Sequence, residues 1–163
     1  QLEQYGGHGT FFVVGEQASR HPGLLREVRD RGHRIGNHSH THLNGWRTPS
    51  DEYRNDVHRA QVTLPELLGR SPSLYRPPYG KIRSRDARVL ESDFRIVMWD
   101  VLARDWQASR TPDQIVDTIL RQVRPGSIVV FHDSHKAAPN VLGALPRILA
   151  ALDGDGYCFR GLP

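Results

Sequence analysis

Three histidines at alternate positions, His38, His40 and His42, fall in the run Asn37-His38-Ser39-His40-Thr41-His42. Neutral imidazole is a good ligand for Zn²⁺, Co²⁺ or Ni²⁺. Spaced four apart, His38 and His42 share one side of a helical turn and can reach one ion, whereas an extended chain would put all three on one face. A catalytic zinc takes three protein ligands and keeps one position open. A third ligand, a carboxylate, must therefore come from elsewhere. His132 directly follows an apolar run in Val130-Phe131-His132-Asp133, which suits a general acid or base. In Arg76-Pro77-Pro78-Tyr79-Gly80 two prolines stiffen the chain and a glycine permits an unusual turn. The Tyr79 N–H is then held in a fixed direction, as an oxyanion hole requires, and Arg76 can hold a carboxylate bidentately. In Asp105-Trp106 the acid is placed to orient a histidine, and the indole to stack on a sugar or wall a small apolar pocket. Each run also has a plainer reading: a polar surface loop, a rigid turn, a helix cap beside a core indole, and a strand-end histidine bonded in place. His8, His21, His33 and His58 read as surface or structural. Just after the histidine cluster comes the insertion-like stretch Leu43-Asn44-Gly45-Trp46-Arg47, whose Trp46 reads equally as a ligand-contacting rim or a surface-packed aromatic.

Strands alternating with helices have to position these residues. Short apolar runs at Thr10–Val14, Leu74–Arg76, Arg95–Val101 and Ser127–Phe131 read as strands buried on both faces, as in a parallel sheet. A last strand is expected at Gly156–Phe159, with Cys158 a packed thiol. Helices are expected over 18–31, with Leu24, Leu25 and Val28 as the apolar stripe, from a Thr48 cap to Leu68 with a kink near Pro65, over 84–91, from Thr111 to about Arg124, and over 140–152. The residues Gln1–Tyr5 read as the end of a helix already under way. The polar runs lie where strands end, which is where α/β folds keep their sites. The pattern predicts one α/β domain over residues 1–163.

Composition excludes other classes. Of the residues, 37% are hydrophobic and 25% charged, an ordinary globular balance that argues against disorder. The net charge of +4 is spread along the chain, and no aromatic-plus-basic repeat offers a nucleic-acid platform. Cys158 is the single cysteine, so no intrachain disulfide or thiolate-built zinc site exists. No apolar run is long enough to span a bilayer.

In order, the four motifs resemble the polysaccharide deacetylases of carbohydrate esterase family 4, the NodB-homology domain. His38-Ser39-His40-Thr41-His42 matches H-[ST]-x-x-H, Arg76 to Gly80 matches R-P-P-[YF]-G, Asp105-Trp106 ends the D-x-x-D-W-like segment, and Val130-Phe131-His132 stands for L-x-H. The resemblance implies a distorted (β/α) barrel and hydrolytic removal of N- or O-acetyl groups from peptidoglycan, chitin-type glycan or xylan. It also implies a cell-envelope or extracellular setting. His38 and His42 would hold a divalent metal, zinc above cobalt or nickel. Tyr79 would donate its N–H to the oxyanion, Arg76 would tether the base, and His132, tuned by Asp105, would be the general acid. Trp106, Val130 and Pro78 would contact substrate around the acetyl methyl. The family's opening T-F-D-D-G-P strand supplies the base and the third ligand. This sequence has no aspartate before Asp30, so the first strand is expected to lie upstream of Gln1. The alternative is a catalytically inactive, carbohydrate-binding relative without base or third ligand. Leu102 also departs from the family, where many relatives have an acid.

Overall fold

The computed structural model describes residues 1–163. The chain divides into two compact units, one of residues 8–98 with 161–163 and one of residues 1–7 with 99–160.

The larger unit holds a four-stranded parallel sheet in the order β1 (Thr10–Val13), β2 (Arg34–Asn37), β3 (Leu74–Tyr75), β4 (Arg95–Ile96). Asn37 stands opposite Tyr75 in the register, so β2 and β3 end side by side. β1 is an edge strand of this sheet and its residues are half-buried, where a fully buried strand was expected. The single helix expected over 18–31 is two, α1 (Gly15–Arg20) and α2 (Pro22–Asp30). Proline has no N–H to continue a helix and disfavours helical geometry in the residue before it; His21 accordingly sits at φ −130° and Pro22 opens α2. Leu25 and Val28 pack with Ile35, Ala60, Leu64 and Leu68, but Leu24 is 61% exposed, so the stripe is narrower than expected.

α3 (Ser50–Leu68) starts after Pro49, and Thr48 does not cap it. The Thr48 amide is engaged in the preceding turn, bonded to the Asn44 carbonyl. Pro65 costs one backbone bond without ending the helix. Leu64 and Leu68 on either side of it are buried, and that anchorage carries the last turn through. The buried face of α3 is Tyr53, Asp56, Val57, Ala60, Leu64 and Leu68, a helical stripe broken by one acid. α4 (Ser84–Leu90) follows, and its Leu90 joins Tyr53, Val57, Tyr75 and Phe94 in a second cluster.

The smaller unit pairs β5 (Val101–Leu102) with β6 (Val129–Val130) in parallel and adds α5 (Pro112–Gln122) and α6 (Ala138–Gly154). Thr111 and Gln114 form a reciprocal capping box at the start of α5. Val101, Ala103, Ile115, Ile119, Ile148 and Leu152 make the core. The one strand expected over Arg95–Val101 is split into β4 and β5. Between them the carbonyls of Val97 and Met98 accept from the Arg76 guanidinium, and the Asp100 carboxylate accepts from Ser127 and Ile128. Side-chain partners thus take the place of a continuous ladder. Gly156–Phe159 is not a strand. Tyr157 and Phe159 turn onto the core while Cys158, between them, is exposed and not a packed thiol. Leu2–Tyr5 is a single 3-10 turn ended by Gly6 at φ 62°. No helix is long and apolar enough to cross a membrane.

Candidate active site

The histidine run leaves the end of β2 as neither helix nor strand. Asn37, fully buried, fixes its start: its side-chain amide donates to the Val57 carbonyl and to Gln61, and its oxygen accepts from the Ser39 N–H at 2.8 Å. Asp56 on α3 fixes its middle. One carboxylate oxygen accepts from the amides of His40 and Thr41, each at 3.0 Å, and the other from the Thr41 hydroxyl at 2.8 Å. Ser39 and His42 both take φ 64°, and the Ser39 hydroxyl accepts from the His42 amide. These two left-handed residues divide the three histidines. His38 and His42 come together, ring centroids 4.9 Å apart. His40 turns inward beside Gly15, buried, with no hydrogen-bond partner at Nδ1. Burial, helped by Arg59 and opposed by Asp56 and Glu16, lowers its pKa from the ordinary 6.5.

β3 ends in the second motif. His38 Nδ1 lies 2.6 Å from the Arg76 carbonyl oxygen. A carbonyl only accepts, so Nδ1 carries the proton and Nε2 keeps its lone pair. The Arg76 side chain is buried over the Phe12 ring, and burial pushes its pKa down to about 10. Its guanidinium donates to the carbonyls of Val97 and Met98. Pro77 and Pro78 lead into a turn with Tyr79 at φ 60°. The Gly80 and Lys81 amides close that turn onto Pro77 and Pro78, so the Tyr79 N–H takes no part in its bonds. The Tyr79 ring meets His42 edge-on at 4.6 Å. Pro78 is buried.

In the smaller unit, Asp105 is fully buried two residues after Ala103. Its two oxygens accept from the His132 amide at 2.6 Å and from His132 Nδ1 at 2.7 Å. Both position and tautomer of the imidazole are thereby set: Nδ1 carries a proton and Nε2 faces away from the carboxylate. The His132 side chain is 41% exposed, and the Trp106 indole stands edge-on to it at 4.5 Å. Asn140 of α6 donates to the Asp105 carbonyl. Val129 and Phe131 pack into the core. Strand alternation therefore turns Val130, also buried, to the other face.

Each unit thus assembles its own set: His38, His42, Arg76, Pro78 and Tyr79 in one, and Asp105, Trp106, Val130 and His132 in the other. The four non-glycine residues at positive φ are Ser39, His42, Tyr79 and Arg104, all inside or beside these motifs. Such backbone costs about 1–3 kcal/mol per residue and gathers at functional sites. Asn37 and Asp56 stand outside the residues that the motifs mark for chemistry. An acid in the apolar stripe of α3 was the available signal for Asp56. The donor chemistry of His38 and His42 fits two ligands of a divalent ion, but no cluster of three or more His, Cys, Asp or Glu forms.

The sequence profile of the polysaccharide deacetylases matches residues 1–94. A peptidoglycan-N-acetylglucosamine deacetylase of Bacillus cereus is 33% identical over the whole of this chain, which spans 60% of that protein. A crystallised peptidoglycan N-acetylglucosamine deacetylase superposes with TM-score 0.93 at 33% identity, over 99% of this chain and 76% of that one. A mutant of a carbohydrate esterase family 4 pseudoenzyme, described as having restored enzymatic activity and whose wild type comes from Bacillus anthracis, superposes with TM-score 0.89 at 25% identity, over 99% and 58%. The α/β deacetylase fold expected from the motifs is the fold observed.

Proposed function

Because this chain belongs to the polysaccharide deacetylase family, we propose that it serves the hydrolysis of N-acetyl groups on an amino-sugar polymer of the peptidoglycan or chitin type, with His132 as general acid. The observation that carries this reading is the His132–Asp105 pair: a half-exposed imidazole whose amide and Nδ1 are both held, at 2.6 and 2.7 Å, by a fully buried carboxylate. That arrangement leaves Nε2 as the atom that delivers a proton.

His38 and His42 would hold a divalent ion, zinc above cobalt or nickel. Such an ion, when bound, supplies Lewis-acid polarisation of the acetyl carbonyl and a more acidic water. The chain's own residues do the rest. As water adds to the carbonyl carbon it gives a proton to a carboxylate base, the role the family resemblance assigns to an aspartate outside these motifs; negative charge gathers on the carbonyl oxygen, and the Tyr79 N–H, held in the left-handed turn, donates to it. One such donor is worth about 3 kcal/mol. Protonated His132 passes the Nε2 proton to the leaving nitrogen as the C–N bond breaks. Acetate departs and a free amine stays on the sugar. Trp106 and Val130 would wall the methyl group, and buried Arg76 holds the strand end before Tyr79 through the carbonyls of Val97 and Met98. The same steps release an alcohol where the acetyl group is an ester, as on xylan.

The test is acetate release by the full-length protein, with zinc or cobalt added, from acetylated chitooligosaccharides, peptidoglycan and acetylated xylan. Acetate from one of these is expected. His132→Ala should lower turnover about 10²- to 10⁴-fold with zinc affinity unchanged, and His38→Ala should abolish zinc binding measured by calorimetry. A folded, zinc-loaded protein that frees no acetate from any of the three overturns the hydrolytic reading. One observation favours a rival, a glycan-binding protein of the same fold without turnover: no third His, Cys, Asp or Glu gathers with His38 and His42. Glycan binding with no acetate released would support it.

A further inference from the structure

Four residues past His42 the chain carries an indole into solvent: Trp46 is 59% exposed. It is also fixed. Its Nε1 donates to the Ile82 carbonyl at 3.2 Å and its amide to the Asn44 side chain at 3.0 Å. Its own carbonyl accepts from Arg83 Nη2 at 2.8 Å, while Arg83 Nη1 reaches the Thr48 carbonyl at 2.6 Å. The loop lies directly on the segment that follows Tyr79. A Cβ on Gly45 would stand 2.4 Å from the Lys81 carbonyl oxygen and 3.0 Å from the Tyr53 ring. A tryptophan kept for core packing would bury its ring. This one has both its backbone and its N–H tied down and leaves most of its surface to solvent.

The ammonium of Lys81 lies over one face of the indole, 5.2 Å from its centroid, and is paired with no carboxylate of the chain. Lys81 follows Tyr79 by two residues, so their Cα atoms are within about 7 Å of each other, and the Tyr79 ring touches His42. The platform therefore adjoins the histidine cluster. An exposed, rigid aromatic face accepts the C–H face of a pyranose at little entropic cost. An ammonium over one face of the ring, with no carboxylate partner in the chain, favours a ligand that brings its own negative charge.

We propose that Trp46 and Lys81 form a sugar subsite beside the His38–His42 cluster, stacking a hexosamine on the indole and pairing a carboxylate of that sugar or its neighbour with the ammonium. The preferred polymer is then an acidic amino-sugar glycan, such as one bearing lactyl ether carboxylates, over neutral chitin. This inference rests on the deacetylase reading for its substrate class, but binding tests it without turnover.

The experiment is calorimetric titration of the full-length protein at low ionic strength. The ligands are a tetrasaccharide of alternating N-acetylglucosamine and N-acetylmuramic acid, and chitotetraose. The unaltered protein should bind the acidic glycan more tightly. Trp46→Ala should weaken both about tenfold, and Trp46→Phe should restore part of the loss. Lys81→Met should remove the preference and leave chitotetraose affinity unchanged. Because Trp46 is exposed, its variants should melt with the unaltered protein. Unchanged affinity in Trp46→Ala, a preserved preference in Lys81→Met, or no binding by the unaltered protein would each overturn the subsite. Acetate assayed in parallel zinc-loaded samples separates the two ideas: binding that follows this pattern without acetate release leaves the subsite standing and removes the deacetylase reading.

Discussion

The Asp105 side chain does two jobs through two oxygens, one on the His132 amide and one on its ring. A carboxamide cannot do both, because its NH₂ group would face a donor. Asp105→Asn should therefore turn or re-tautomerise the ring. We expect turnover to fall about 10²- to 10⁴-fold with KM nearly unchanged, together with a stability loss of about 1–3 kcal/mol from the buried amide left without an acceptor. Loss of stability with unaltered turnover would show that the carboxylate only holds the loop. His38 illustrates the same point on the other set. Its carbonyl partner selects the tautomer, so the adjacent backbone of Arg76 decides which nitrogen is available.

At the scale of elements, α3 acts as the jig for the histidine loop. Its apolar face seats it against the sheet, and Asp56 projects from that face to take both amides of 40–41 and a hydroxyl. Asp56→Ala should lower stability by about 1–3 kcal/mol, a drop of about 2–4 °C in Tm per kcal/mol for a chain of this size. Groups that orient metal ligands commonly set affinity by about 10- to 100-fold, so zinc binding should weaken on that scale. A melting curve and a zinc titration check both, and unchanged zinc affinity would confine Asp56 to a structural part. The loop's two left-handed residues explain why helix and strand arguments about 38, 40 and 42 were each incomplete. Periodicity describes regular backbone, and this backbone is irregular.

For the molecule as a whole, a buried phenol pair is expected to lower stability at high pH. The hydroxyls of Tyr53 on α3 and Tyr75 on β3 meet at 2.6 Å with no exposure of either residue. Burial pushes the Tyr53 pKa from 10.0 up to about 12 and raises that of Tyr75 as well. In the unfolded chain both would ionise near 10.0. Between that pH and about 12 the unfolded state has lost protons that the native state keeps, so stability falls as pH rises through this window. Melting temperature should stay flat up to about pH 10 and then drop. The Tyr53→Phe/Tyr75→Phe double variant should show a smaller drop, and an identical alkaline step in that variant would rule the pair out.

The sequence alone determined the class of fold and singled out the residues here proposed to carry the chemistry. Side-chain chemistry and motif order are local properties of the chain, and apolar runs alternating with helical periods leave few architectures open. His38, His42, Arg76, Tyr79, Asp105 and His132 were all singled out in that way as candidates. Only the tertiary structure decided how they are held: that His40 turns inward, that Arg76 spends its guanidinium on carbonyls, that β4 and β5 part between Val97 and Asp100, and that Asn37 and Asp56 pin the loop. Those outcomes depend on hydrogen bonds between residues far apart in the chain, whose partners become neighbours only after the sheet and α3 have packed.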